Sequence, residues 1–86
     1  MKIKDIISTT TNQTRVDGRY PQRIGSTVEF YMYPKIGMPM ILAYAYDNQG
    51  NPKEGYLRTS TVQSVHETES AIIVATLNSI YCFEKE

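Results

Sequence analysis

One cysteine, Cys82, leaves no partner for an internal disulfide, and one histidine, His66, adds too little to build a zinc centre. Structural zinc takes four Cys or His ligands and catalytic zinc about three at characteristic spacings, so no metal is expected. There is no glycine-rich phosphate loop, no serine nucleophile elbow and no supported pair of carboxylates. No cofactor and no catalytic residue is expected, and the chain reads as a non-enzyme. Net charge is also missing: nine basic and nine acidic side chains cancel, so no overall field gathers nucleic acid or basic surfaces from a distance. No apolar run approaches the roughly 18 residues of a membrane span, because Ile41–Ala45 is broken by tyrosines and then by Asp47 and Asn48. Met1–Ile7 lacks the apolar core of a secretory signal, which with the lone cysteine sets the expectation of a reducing cytoplasm.

The 86 residues that remain to be explained are 41% hydrophobic and 21% charged, an ordinary globular balance that disordered and coiled-coil chains do not show. Residues 1–86 form a single domain, one that buries only ~60–65% of the surface its unfolded chain exposes.

Extended segments are the main signal. Thr27–Tyr33 alternates, with Val28, Phe30 and Met32 on one face and Glu29, Tyr31 and Tyr33 on the other. Pro34 stops it, and Met40–Tyr46 forms the next strand. Asp47–Gly55 concentrates turn formers into an exposed hairpin loop, after which Tyr56–Val65 and Ala71–Thr76 pair across a polar turn at His66–Ser70. Ser79–Phe83 alternates again, either as a continuation through a bulge at Leu77-Asn78 or as a separate strand. Lys2–Ile7, apolar at positions 3, 6 and 7, fits a strand or a helical turn and is read as a strand. Ser8–Gln13 is a polar loop, and Asp17-Gly18 marks a tight turn of the kind found in hairpins. Five to six short strands without a helical pattern predict an all-β domain, a small SH3-like or OB-like barrel or a strongly bent antiparallel sheet. Free strand edges in so small a sheet would be removed by closure or by a second copy, which raises a homodimer.

Seven tyrosines stand out. Tyr31 and Tyr33 share one strand face, and Tyr44 and Tyr46 share another. Two adjacent pairs make a patch able to stack bases or to anchor a protein interface, unless the rings cap the core. Arg15, Arg19 and Arg23, close to Tyr20, suggest a local patch for phosphate or carboxylate, against the alternative of a solvated loop. Met38 and Met40, with Ile36, add soft apolar side chains in a connection, as a contact surface or as loop packing. His66 lies beside Glu67 and Glu69 with no partners indicated, and Cys82 between Tyr81 and Phe83 reads as a buried strand residue.

Tyr56-Leu57-Arg58-Thr59-Ser60-Thr61-Val62, followed by Thr76-Leu77-Asn78-Ser79-Ile80-Tyr81, resembles small proteins encoded by phages and mobile elements of Gram-positive bacteria. The resemblance covers about a third of the chain and brings no active site with it. It implies a setting in which compact inhibitors of host or defence proteins, anti-CRISPR proteins among them, are common. The expected function is therefore protein binding, with a host protein as partner. The alternative is a nucleic-acid-binding barrel that combines tyrosine stacking with Arg15, Arg19 and Arg23.

Overall fold

Six strands form, and all 86 residues, Met1–Glu86, are described by the computed structural model. They are β1 (Lys2–Ser8), β2 (Thr27–Phe30), β3 (Pro39–Tyr46), β4 (Tyr56–Glu67), β5 (Ala71–Thr76) and β6 (Ser79–Glu84), with a single helical turn, α1 (Tyr20–Arg23), between β1 and β2. Each strand pairs antiparallel with the next in sequence, and β6 returns to β1 to close the ring. The all-β expectation is met. The order is a plain meander, without the crossover a Greek-key barrel requires. Closure is narrowest between β1 and β2, which share the single register pair Lys2 with Thr27, and β4 beyond Thr61 pairs only with β5.

Closing so small a sheet demands sharp bending, and bulges supply it. Along β1 the register to β6 shifts between Ile3 and Asp5, so one extra residue bends the strand. Ile3 and Ile6 consequently both point inward, three positions apart, which is why the 3, 6, 7 pattern resembled a helical turn. The Asp5 carboxylate accepts the Ile6 amide at 2.8 Å and the Thr14 hydroxyl at 3.0 Å, tying the bulge to the loop that crosses it. In β3 the register to β2 shifts beside Ala45, and β4 is bulged twice, once against β3 and once against β5. Its 12 residues therefore wrap around the barrel rather than lying flat.

Every strand contributes to one core: Ile3 and Ile6, Val28, Met40 and Leu42, Leu57 and Val62, Ile72 and Val74, and Tyr81 and Phe83. Each such side chain, fully buried, contributes about 1.5–3 kcal/mol. No residue of α1 is fully buried, but its Tyr20 and its C-cap Ile24 pack partly on this cluster, and Pro21 sits in its first turn, where a missing N–H costs nothing.

Several local expectations are corrected, and the open choice at Leu77-Asn78 is decided. The Asp17-Gly18 turn, with Gly18 at φ +54°, leads into α1 instead of joining two strands. The chain reverses earlier, around Asn12 at φ +59°, so that the Ser8 amide reaches the Gln13 carbonyl and the Arg15 amide reaches that of Ile6. β2 ends at Phe30 rather than Tyr33, and Pro39 already belongs to β3. β4 continues through His66 and Glu67, so the polar turn is only Thr68–Ser70. Leu77-Asn78 is a two-residue turn between separate strands, held by the Thr76 hydroxyl, which donates to the Ser79 carbonyl at 2.9 Å and accepts its amide at 3.2 Å.

Thr59 is the most exacting polar residue in the core. The bulge leaves the Met40 amide facing β4, and the Thr59 hydroxyl accepts it at 3.0 Å while donating to the Ser60 carbonyl at 2.8 Å. Thr59→Val keeps the shape and strands a buried donor, so chemical denaturation should show a loss of about 1–3 kcal/mol. Thr59→Ser should recover most of it.

Candidate functional site

The segment joining β2 to β3 carries the largest apolar exposure in the molecule. Tyr31, Met32, Tyr33, Ile36 and Met38 are half of the ten large hydrophobic side chains that remain exposed, within eight residues. Pro34 and Pro39 stiffen the segment, and it is pinned at defined points. The Tyr31 amide reaches the Ile41 carbonyl, the Gly37 amide reaches that of Val62, and the Val62 amide returns to the Met38 carbonyl. Tyr33 folds back onto Phe30, ring centroids 5.7 Å apart, and its hydroxyl donates to Glu67, which Lys85 holds from the other side at 2.7 Å. Those two partners, Lys85 first, hold the Glu67 carboxyl below its usual range, and Glu67 in turn raises the Tyr33 phenol. Tyr33 is thus an anchor for the loop.

Tyr31 projects the other way and meets Tyr56 of β4 edge to face at 5.8 Å. Tyr31, Met32, Met38, Pro39 and Ile41 are among the residues around an apolar cavity of about 110 Å³. It is sized for one side chain. Met40 also borders it but is 1% exposed, because its alternation places it in the barrel interior. The expected Met38 and Met40 pair is therefore split, and only Met38 is available at the surface.

The tyrosine row is split too. Tyr44 shares the inward face of β3 with Met40 and Leu42, packs against the core, and is overlaid by the Lys53 ammonium 4.1 Å from its ring centre. Burial raises its phenol, while the nearby Arg23 guanidinium pulls the other way. Tyr46 follows the Ala45 bulge and stands half-exposed beyond it. Tyr56, outside the two pairs that alternation picks out, is the ring that joins Tyr31. Its signal was cross-strand placement, invisible until β4 was registered on β3.

The arginines separate as well. Arg15 grips Asp17 through two nitrogens at 2.7 and 3.1 Å, donates to the Ser79 hydroxyl at 2.9 Å, and lies 4.1 Å over the Tyr20 ring. The hydrogen bond with Asp17 is the main reason its guanidinium is raised and the Asp17 carboxyl lowered. Arg15 therefore clamps the first loop to the β5–β6 turn. Arg19 and Arg23 instead face a separate cleft with Lys53, a residue that nothing in the local sequence marks out.

His66 lies exposed on β4, and no three His, Cys, Asp or Glu side chains converge as metal ligands would. Cys82 points outward from β6 and is only partly buried, contrary to the expectation of an interior residue, since Tyr81 and Phe83 hold the inward positions. Partial burial, and after it the charge of Asp5, push its thiol up. A raised thiol disfavours the nucleophilic thiolate. No helix is long and apolar enough to cross a membrane. Comparison with protein-family models, with curated proteins and with solved structures finds no match.

Tyr81 has a consequence that can be measured. Its phenol is 3% exposed, and desolvation raises it to about 12 from an ordinary 10.0. The unfolded chain sheds this proton near its ordinary value, so the stability that burial of the neutral phenol contributes is intact below that pH. It is then lost as pH rises toward the folded value. Urea unfolding followed between about pH 9.5 and 11.5 should show a less steep alkaline decline in Tyr81→Phe than in the wild type. An unchanged slope would place the titration elsewhere.

Proposed function

We propose that this chain is a non-enzymatic docking module that captures an apolar side chain of a partner protein in the cavity bordered by Tyr31, Met32 and Met38, with Ile36 exposed on the same loop and Tyr56 packed against Tyr31. One observation carries the reading: large hydrophobic side chains are concentrated on a braced loop around a cavity of side-chain size. A contiguous apolar surface on a small domain marks an interaction site, and aromatic and methionine side chains are enriched in interface cores. The loop's anchoring to Glu67 and Val62 lowers the ordering cost of binding. The resemblance to phage and mobile-element proteins directs the search for the partner to host and defence proteins of Gram-positive bacteria. Inhibition of such a protein is the role we assign.

The nucleic-acid alternative asks for a continuous platform of rings and arginines. Arg15 is engaged by Asp17 and Ser79, and Tyr44 lies beneath Lys53, which leaves the four tyrosines and three arginines dispersed.

Met32→Ser combined with Ile36→Ser separates binding from folding, because exposed substitutions of this kind change stability by about 0.5 kcal/mol or less. Capture from Gram-positive lysate should recover one nuclease-resistant protein with the wild type. The purified pair should lose at least about tenfold in affinity in the double variant, equivalent to about 1.4 kcal/mol. Equal capture by both forms, or recovery that nuclease abolishes, would overturn the proposal. Variant-sensitive self-association in sedimentation would replace the foreign partner with a second copy.

A further inference from the structure

We infer that the cleft between α1 and the β3–β4 hairpin is a phosphate site for a small phosphomonoester whose planar body lies on Tyr56. Arg19, at the N-cap of α1, and Arg23, its last residue, are four positions apart and share one face of the helical turn. Lys53 reaches the same space from the Asp47–Gly55 loop, whose return is fixed by its own amide on the Ala45 carbonyl. The cavity holds about 290 Å³, with Tyr44 and Leu57 among the residues that line it and Tyr56 also contributing.

Three features point to an anion. None of the three cations has a carboxylate within 4.0 Å, although the chain carries equal numbers of acidic and basic residues; the ion pairs that do form use Arg15, Lys85 and the N-terminus. Glu54 borders the cleft and pairs with none of them, so positive charge exceeds negative by three side chains to one. Two of the cations are positioned by rings, Arg23 5.1 Å over Tyr20 and Lys53 4.1 Å over Tyr44. Such stacking leaves the edge of a guanidinium free to hydrogen-bond an oxyanion.

Two guanidinium forks and an ammonium match the oxygens of a terminal phosphate, whose double charge a polymer's internal phosphodiesters lack. The overall neutrality of the chain gives no track for a polyanion. Tyr56, 67% exposed, offers a ring for a planar group beside the phosphate. The site shares Tyr56 with the edge of the apolar loop, where that ring meets Tyr31, but Arg19, Arg23 and Lys53 all lie outside the loop.

Amide chemical shifts during titration with inorganic phosphate, uridine 5′-monophosphate and uridine test the inference, with ionic strength held constant. Phosphate and the nucleotide should give saturable shifts confined to Arg19–Arg23 and Lys53–Leu57, and uridine none. The nucleotide should bind about tenfold more tightly than phosphate and also move Tyr56. Arg19→Gln with Lys53→Gln should weaken both by at least about tenfold while the spectrum stays dispersed. Arg58→Gln, an exposed cation outside the cleft, should leave both unchanged. Absent or dispersed shifts, shifts that persist in the double variant, or a nucleotide no tighter than phosphate would overturn the inference. So would a thymidine 12-mer binding more tightly than the nucleotide, which would assign the cleft to single-stranded nucleic acid.

Discussion

A six-stranded sheet built from 86 residues can bury a core only by curling completely, since neither face is covered by a helical layer. Every other property of the molecule depends on that closure. The bulges in β1, β3 and β4 bend the strands, the bend brings β6 back to β1, and the enclosed volume is filled from all six strands. Where the bulge in β4 leaves the Met40 amide without a ladder carbonyl, the Thr59 hydroxyl accepts it, and next to the β1 bulge the Asp5 carboxylate takes the Ile6 amide. Curvature and polar satisfaction are thus one device.

Closure also decides what is left outside. With the interior taken by residues such as Met40, Leu42 and Phe83, the β2–β3 connection cannot place its own apolar side chains inward. They stay on the surface, braced by Tyr33 and the returning bonds to Val62. There is a polar consequence as well, because the β1–β2 connection, whose helical turn α1 buries none of its residues, brings Arg19 and Arg23 opposite Lys53. The two surfaces are by-products of the same ring, and Tyr56 lies at the margin of both.

Fold class was legible because alternation survives wherever strands run straight, as at Val28 to Phe30 and from Tyr81 to Phe83. It was obscured where a bulge changes the period: Ile3 and Ile6 lie on one face although their spacing is that of a helix. The Asp17-Gly18 pair signalled a turn correctly, but turn chemistry leaves the next element open, and here that element is a helical turn. The apolar loop was half legible. Tyr31 and Met38 could be chosen from composition, yet Met40, although legible as the first residue of a strand, could not be assigned to the inward face before that strand was placed in the ring. Tyr56 and Lys53 were out of reach, since each acquires its neighbours through long-range register. Charge counting saw three arginines, whereas geometry spends one on Asp17 and gives the other two a lysine.

Native-state hydrogen exchange tests directly whether a closed ring carries the stability while the apolar loop stands outside it. The account predicts that the amides of Ile3, Leu42, Val74 and Phe83 exchange only through global unfolding. Those of Met32 and Ile36, which make no backbone hydrogen bond, should exchange orders of magnitude faster. Early exchange of β1 ahead of the remaining strands would show that the ring opens. Protection of Met32 and Ile36 at the level of the core would show the loop to be part of it. Either result would contradict the account.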